Sequence, residues 1–287
     1  MMQRKELVGF APSILNLSPV YVNVQRPNGE IETTELSAFE QKFSSMPLVS
    51  CLMVCSDNTR FAEFSVQCYL RQNYSNRELI VLYISPDPQF EASLKRFDHA
   101  GVKLVGVRHG FSLGELRNIS VAHAKGELLC QWDAADLYDP SRLALSVRAL
   151  LSAKVDAGFS SHVLLWSPGS SALAVSQRRI WNSSMLIWRN VLPIYPALSE
   201  GDEDKFVMSH ITRRCSLALL NEPYLYCHVV TSNDDRSDVD LSDARHVYRN
   251  ETYGEALKLF AQRTPAREYA AAFATRVSQS TSSQGRK

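Results

Sequence analysis

The stretch ELLCQWDAADLYDP, residues 127–140, decides the fold and the place of the functional site. Its first six residues form an apolar run that predicts a buried strand, and acidic residues follow as soon as the run ends. Asp133 and Asp136 flank two alanines, and Pro140 then opens a helix, since proline is tolerated in a first helical turn. A strand, an acidic turn and a helix in that order are typical of an α/β protein with its site at the strand end.

Three similar units precede this stretch. Continuous apolar runs with β-branched residues predict parallel strands buried on both faces, and they are LVSCLMV (48–54), RELIVLYI (77–84) and VKLVGV (102–107). Helical spacing predicts helices over 60–73, 90–101, 113–126 and 140–153. The alternation predicts an α/β fold with a mostly parallel central sheet flanked by helices.

The carboxyl ends of parallel strands lie at one edge of the sheet, where ligands bind in open α/β folds. We therefore expect the segments that follow the four strands to form a single site, although they are scattered in the sequence. These segments are Cys55–Asn58, Tyr83–Asp87, Val107–Phe111 and Trp132–Asp136.

The chain divides around this unit. Residues 1–46 read as an extension, in which a turn at Asn28-Gly29 predicts a β-hairpin and AFEQKF predicts a short helix. Residues 47–153 form the first α/β half, and residues 154–277 are expected to extend the sheet and form the second wall of a cleft. The polar segment 278–287 is expected to be a disordered tail.

The second half has a mixed pattern. VDAGFSSHVLLW, SALAVSQRRIW and PYLYCHVV predict strands, and EYAAAFATRV predicts a closing helix. The segment 183–214 between them is expected to contain a loop and a helix.

Composition excludes some classes of protein. The 287 residues carry a net charge of +1 with a pI of about 7.6, so a nucleic-acid partner is not expected. The six cysteines form no C-x-x-C pair and several lie in apolar runs, which predicts reduced core residues of a cytoplasmic protein. No apolar run is long enough for a transmembrane helix, and the N-terminus lacks the pattern of a signal peptide.

Two acidic segments are candidates for chemistry. Asp133 and Asp136 can hold Mg²⁺ or Mn²⁺ against the phosphates of a nucleotide, or they can simply favour the positive end of the helix at Pro140. The run SEGDED at 199–204 can supply a carboxylate that takes a proton from a hydroxyl group, or it can be the solvated start of a helix.

Other residues also have two interpretations. Arg117 can pair with a phosphate or be an ordinary surface arginine. His228, in the strand YLYCHVV, can be a metal ligand or a structural residue. Aromatic residues can line an acceptor pocket or fill the core, and they are Trp166, Trp181, Trp188 and Tyr195.

Three motifs are absent from the sequence. It contains no G-x-x-x-x-G-K-[ST] phosphate loop, no G-x-G-x-x-G dinucleotide motif and no G-x-S-x-G nucleophile motif. Their absence speaks against a kinase, a dehydrogenase and an α/β-hydrolase. The missing glycine-rich loop speaks against a nucleotidyltransferase as well.

The order of the segments resembles the family 2 glycosyltransferases, which have a GT-A fold. The opening PLVSCLMVCSDN and the segment LRQNYSNRELIVL are similar to that family's first strand, its helix ending in Q-x-Y and its second strand. LGELRNISVAHAKGELLCQWDAADLYDPSRL resembles the stretch from R-N through A-x-G-E to the D-x-D region and the P-x-R-L helix. SSMLIWRNVLPIYPALSEGDEDKFV is similar to the acceptor-side segment that ends in a G-E-D-like motif. The resemblance covers about residues 47–235.

The resemblance implies a nucleotide-sugar donor, a divalent metal (Mn or Mg) and an inverting displacement. It implies donor contacts along the strand ends and on the R-N helix, from Cys55, Asp57, Tyr83, Arg117, Asn118, Trp132 and Asp133. It makes Glu203 the candidate base, with Asp202 or Asp204 as substitutes. Asp133, Asp136 and His228 are the candidate metal ligands.

Three departures from the family pattern give a second hypothesis. Tyr83-Ile84-Ser85 replaces the D-D-G-S that usually ends the second strand, and Ala135 stands where the usual metal-binding acid falls. The late H-G-x-N-like segment reads VTSN, with His228 two residues early. The leading hypothesis is an inverting glycosyltransferase in polysaccharide biosynthesis, whose acceptor is a glycan, lipid-linked saccharide or protein. The alternative is a non-catalytic relative that serves as a binding or assembly subunit. Peripheral membrane contact and a homo-oligomer are compatible with both.

Overall fold

The computed structural model describes residues 20–36, 46–55, 61–85, 88–97, 101–198, 201–230, 241, 244–248 and 250–284. Some predictions fall outside these ranges, namely the helix AFEQKF, the turn residues Asp57, Asn58 and Asp87, the first two residues of SEGDED, and the VTSN segment after Val230.

Within the described ranges, the chain forms a central sheet of nine strands. Across the sheet, the strands follow the order β2 (Ile31–Leu36), β1 (Val20–Gln25), β12 (Leu217–Leu220), β8 (Ala157–Ser160), β11 (Trp181–Trp188), β6 (Leu128–Gln131), β3 (Val49–Cys55), β4 (Arg77–Ile84) and β5 (Val102–Val107). The strands β6, β3, β4 and β5 pair in parallel, which confirms the four predicted strands. Their carboxyl ends therefore lie at one edge of the sheet.

Seven helices surround this sheet among the described residues. They are α1 (Ala62–Leu70), α2 (Pro88–Lys95), α3 (Leu113–His123), α4 (Arg142–Ala153), α5 (Asp202–Arg214), α6 (Asn250–Phe260) and α7 (Ala266–Gln284), with a short 3₁₀ helix at Pro223–Leu225.

The helices cover both faces of the sheet. Alternate side chains of a strand point to opposite faces, so each central strand contributes to two cores. Cys51 and Met53 of β3 belong to the core that includes Phe64 of α1. Leu52, between them in sequence, belongs to the other core, with Leu116 of α3. The predicted α/β architecture with flanking helices is therefore confirmed.

The second half of the chain extends the sheet, as predicted, and adds a second sheet. Strands β11, β8 and β12 continue the central sheet beyond β6. The second sheet has the order β14 (Ala244–Tyr248), β10 (Ala172–Ser176), β9 (Leu164–Ser167), β13 (Tyr226–Val229) and β7 (Leu137–Tyr138). The segment 183–214, expected to contain a loop and a helix, also contains the end of a strand, since β11 runs to Trp188 and pairs with both β6 and β8.

The N-terminal hairpin is present and joins the central sheet. Strands β1 and β2 pair antiparallel, and Gly29 takes the left-handed conformation in the turn, with φ +86°. Strand β1 also pairs antiparallel with β12, so the hairpin forms one side of the sheet.

The expected disordered tail differs from the structure over most of its length. Helix α7 continues to Gln284. Ala266, Tyr269 and Phe273 bury one side of its first turns, and an anchored helix can propagate into a polar sequence at little cost.

All six cysteines are buried, which confirms the prediction that they are core residues. In the part of the chain that the structure describes, we find no helix whose length and apolar character suffice to cross a bilayer.

Candidate functional site

An arginine and two carboxylates meet where helix α3 faces the start of helix α5. The Nη1 atom of Arg117 donates a hydrogen bond to Oδ1 of Asp204 and lies 3.6 Å from Oε1 of Glu203. The Glu203 side chain is fully buried, whereas that of Asp204 is 25% exposed. Neither carboxylate oxygen of Glu203 accepts a hydrogen bond from any residue that the structure describes.

The start of helix α3 is fixed by its own sequence. The Ser112 hydroxyl accepts a hydrogen bond from the backbone N–H of Glu115, and the Glu115 carboxylate accepts one from the backbone N–H of Ser112. This capping box satisfies backbone N–H groups at the start of the helix, and its hydrogen bonds hold the first turn in place. Arg117 follows on the next turn and points toward α5.

A loop beside α3 is held by a pair of reciprocal hydrogen bonds. Asn118 donates from Nδ2 to the carbonyl of Tyr195 at 2.8 Å, and the N–H of Tyr195 donates to Oδ1 of Asn118 at 3.0 Å. This pair places the Tyr195 ring 5.2 Å from the guanidinium carbon of Arg117, within cation–π range. Asn118 was predicted to contact a donor, and its amide is instead occupied by the loop.

Two small adjoining hollows, each with a cavity volume of about 10 Å³, open beside Arg117. Both are lined by the same four residues, Arg117, Gln131, Met185 and Tyr195. The first hollow also reaches Asp204 and Asn182, and the second is walled by apolar side chains, namely Leu52, Val54, Leu129 and Leu192. They lie at the carboxyl ends of β3 and β6, the edge at which the sequence predicted a site.

Gln131, which lines both hollows, connects them to Asp133. The Nε2 atom of Gln131 donates to Oδ1 of Asp133 at 3.0 Å. Burial raises the pKa of Asp133 and the neighbouring charge of Asp136 raises it further, while Gln131, Arg117 and His228 act in the opposite direction. Gln131 thus connects Asp133 to the hollow that Arg117 and Asp204 also line.

Asp136 is turned inward and makes three hydrogen bonds. Its Oδ2 accepts from the Tyr226 hydroxyl and lies 3.2 Å from Nδ1 of His228, and its Oδ1 accepts from the N–H of Val229 at 2.8 Å. Burial alone would raise the pKa of Asp136, but His228 and these hydrogen bonds lower it below the ordinary value. Asp136 and His228 thus lie together, as expected of two metal ligands, but they bind each other.

The predicted metal ligands do not form a cation site in this arrangement. The Tyr226 hydroxyl stands between the two carboxylates, since it also lies 3.5 Å from Oδ2 of Asp133. Among the described residues, no three His, Cys, Asp or Glu side chains are grouped as ligands for a metal ion. Ala135, between the two acids, supplies no ligand atom.

Three side chains predicted to touch a donor point away from the hollows. Cys55, Tyr83 and Trp132 are 2%, 7% and 0% exposed, and they belong to the core on the α1 face of the sheet. Trp132 packs on Tyr138 with ring centroids 4.1 Å apart and donates from Nε1 to the Ser65 carbonyl. Strand alternation explains the result, because Val54 and Gln131, one position earlier than Cys55 and Trp132, face the hollows.

The remaining predicted site residues differ in environment. Asp202 is at the surface, 54% exposed, and forms an ion pair with Lys205. Of the four aromatic candidates, Tyr195 lines both hollows, whereas Trp166 and Trp181 are buried. Asp57 lies outside the described residues.

Sequence reasoning missed Gln131, Met185 and Tyr226. Gln131 carried a usable signal, since it is the last polar residue before the acidic turn and alternation puts it opposite Trp132. Met185 and Tyr226 carried none, because their positions depend on pairing between β11, β6, β13 and β7.

The comparison of this chain with solved structures identifies its fold. No family model matches the chain, and no curated protein sequence matches it. The crystal structure of S. aureus TarS 1–349 is similar, with a TM-score of 0.53, 11% identity, and coverage of 75% of this chain and 69% of that one. The complex of TarS 1–349 with UDP-GlcNAc gives a TM-score of 0.52 at 16% identity, covering 75% and 65%. Another crystal structure of S. aureus TarS is similar with a TM-score of 0.52 and 13% identity. That match covers 75% of this chain but only 42% of the TarS chain.

The chain thus spans less than half of that TarS structure. At these identities the likeness concerns the fold. Together with the sheet order and the helices on both faces, it shows that this chain has a GT-A-like α/β fold.

Proposed function

We propose that the protein is a glycosyltransferase that moves a sugar from a nucleotide-sugar donor to a hydroxyl acceptor, with inversion at the anomeric carbon. TarS 1–349, which has a similar fold, was crystallised with UDP and with UDP-GlcNAc. In this chain the proposal depends on one observation. Arg117, Asp204 and Gln131 line one hollow at the carboxyl edge of the parallel strands, with Glu203 3.6 Å from Arg117 and Asp133 hydrogen-bonded to Gln131.

The chemistry requires a cation for the leaving group and a base for the acceptor. Arg117 can supply the cation, because a guanidinium presents five donors, and here Nη1 donates to Asp204 and lies 3.6 Å from Glu203. Its Nε donates to no acceptor in the described parts of the chain. Preplaced positive charge of this kind is a large source of transition-state stabilisation.

In the transfer step the acceptor oxygen attacks the anomeric carbon on the face opposite the diphosphate. A new carbon–oxygen bond forms while the bond from the anomeric carbon to the diphosphate oxygen breaks. The acceptor proton passes to a carboxylate of the protein, and the nucleoside diphosphate leaves with the bonding electrons. A single displacement of this type inverts the configuration.

Asp204 is the carboxylate that best meets the need for access. A general base must come within hydrogen-bond reach of the proton that it removes. Asp204 lines the hollow and is partly exposed, while the Glu203 carboxylate is enclosed and Asp202 faces the solvent. We therefore propose Asp204 as the base. Glu203, which the sequence predicted as the base, is instead proposed to hold Arg117 in position through its buried carboxylate.

Three isosteric variants test this assignment. Transfer and hydrolysis are measured with a panel of nucleotide-sugars, and binding is measured by calorimetry. Asp204→Asn should lower the turnover rate by about 10²-fold or more while donor binding is nearly kept. Asp202→Asn, at the surface of the same helix turn, is the matched control and should behave as wild type. Full activity of Asp204→Asn with loss in Glu203→Gln would return the base to Glu203.

A second candidate function is a binding or assembly subunit that has kept the fold. The inward position of Asp136 and the presence of Ala135 favour it, because both remove ligands that a metal-assisted transferase would use. This candidate predicts nucleotide or glycan binding without turnover of any donor in the panel. Turnover of one donor that Asp204→Asn abolishes would eliminate it.

A further inference from the structure

Tyr226 occupies the space between the two acids that were expected to share a cation. Its hydroxyl bonds to Oδ2 of Asp136 and lies 3.5 Å from Oδ2 of Asp133. A divalent cation that bridged these carboxylates would have to displace this hydroxyl, since it would need the same oxygen lone pairs.

The tyrosine is fixed from several sides. Its side chain is fully buried, and its ring stacks on Tyr138 with centroids 5.3 Å apart and an interplanar angle of 17°. The guanidinium of the buried Arg142 lies 5.4 Å from the Tyr226 ring centroid and 4.3 Å from that of Tyr138. Moving the hydroxyl would therefore disturb a packed aromatic–cation cluster, and such movements in a close-packed interior are costly.

Both carboxylate oxygens of the second acid, Asp136, are also occupied by hydrogen bonds. Oδ2 bonds to Tyr226 and His228, and Oδ1 accepts from the Val229 N–H. A metal would have to replace three hydrogen bonds to a carboxylate that is 3% exposed. On the other side of Asp133, Gln131 donates to Oδ1.

Arg117 provides a fixed cation at the same edge. It lines both hollows with Gln131, and its charge acts on Asp133. We infer that the protein binds the diphosphate of a nucleotide through Arg117 and without a divalent cation, and that Asp136, Tyr226 and His228 form an internal network that replaces a metal site. This inference rests on the proposed function, because it concerns the same nucleotide.

Calorimetric titration of the full chain with UDP and with GDP, in EDTA and in excess Mn²⁺, tests the inference. We expect dissociation constants that agree within about twofold between the two conditions, and a loss of about tenfold or more in Arg117→Gln. Binding that tightens about tenfold or more with Mn²⁺ would overturn the inference but leave the proposed function in place. An absence of binding under both conditions would overturn both.

Electron paramagnetic resonance of Mn²⁺ gives an independent readout without nucleotide. The wild-type chain should leave the signal of free Mn²⁺ undiminished at equimolar concentrations. Stoichiometric loss of that signal in the wild type, restored by Asp133→Asn, would contradict the inference. Asp202→Asn is the control for an exposed acid on another element.

Discussion

Arg117 of helix α3 forms a hydrogen bond with Asp204 of helix α5, across 87 residues of sequence. The contact links the first α/β half to the second and places one cation and two acids between them. In this pairing, Asp204 is at the hollow and Glu203 is buried behind it.

Arg117→Lys should weaken the binding of UDP or GDP by about tenfold, and Arg117→Gln by more. A lysine keeps the charge but loses the planar donors that match a phosphate, and it cannot stack on Tyr195 in the same way. Calorimetry measures the effect. Arg213→Gln, at the exposed end of α5, is the control and should bind as wild type; equal affinity in Arg117→Gln would remove this residue from the site.

Gly114→Ala should destabilise the fold by about 1–3 kcal/mol, because the added methyl group would overpack this contact. A Cβ atom at Gly114 would lie 2.2 Å from the carbonyl oxygen of Pro196 and 3.4 Å from Cβ of Glu203. Helix α3 can approach the 189–198 loop only because this position has no side chain.

Gly254→Ala is the matched control for that experiment. A Cβ atom there meets nothing within 4 Å, and Ala forms helices better than Gly by about 1 kcal/mol. Thermal denaturation should give a lower midpoint for Gly114→Ala and an equal or higher one for Gly254→Ala. Equal midpoints for Gly114→Ala and the wild type would mean that the loop is not held against α3.

Asn118→Ala should lower both stability and nucleotide affinity. The change removes two hydrogen bonds to the backbone of Tyr195 and leaves that backbone unsatisfied, a loss of about 1–3 kcal/mol. Asn118→Asp separates the two bonds, since a carboxylate can still accept from the N–H of Tyr195 but cannot donate to its carbonyl. Affinity for UDP or GDP that is unchanged in Asn118→Ala would show that Tyr195 is not positioned through this contact.

Asp133→Asn should raise the melting temperature at pH 7, because it removes a charge that is costly to bury. Burial and the neighbouring Asp136 raise the pKa of Asp133 in the folded state. Because the folded state binds the proton more tightly than the unfolded state, stability from this group is fully present below the unfolded pKa and is lost as pH rises from that value through the raised folded pKa.

The gain from Asp133→Asn should therefore shrink below about pH 4, where the wild-type carboxyl is protonated in both states. Denaturation curves from pH 3 to 8, for the wild type and the variant, measure this. A gain that is equal at pH 3 and pH 7 would contradict the assigned cause. A fall in stability at pH 7 would mean that the charge of Asp133 is needed by its neighbours.

The first half of the chain was predictable because its strands are buried on both faces. Apolar runs of that kind gave the limits of β4 and β5, at 77–84 and 102–107, without error. The segment WNSSMLIW was harder, because β11 begins with polar residues and becomes recognisable only through its pairing with β6 and β8. Strands β12 and β14 and helix α6 were not predicted at all.

The site was predictable as a location and less so as a set of contacts. Segment order predicts one region for Arg117, Asp133 and Glu203, and in the structure Arg117 lies 3.6 Å from Glu203 while Asp133 bonds to Gln131. It could not tell which acid is exposed, because that depends on the direction of Asp204 relative to α3. Nor could it foresee that Tyr226, 90 residues after Asp136, would bond to that carboxylate.

The hairpin also has a practical consequence for work with shortened chains. Strand β12, with the sequence LALL, is shielded from further pairing on one side by β1 alone. A protein from which residues 1–36 were removed would bare the backbone of an apolar strand, and such edges recruit other strands. Preparations of such a shortened protein should self-associate. An oligomeric state measured on them would result from the exposed strand edge and would not describe the full chain.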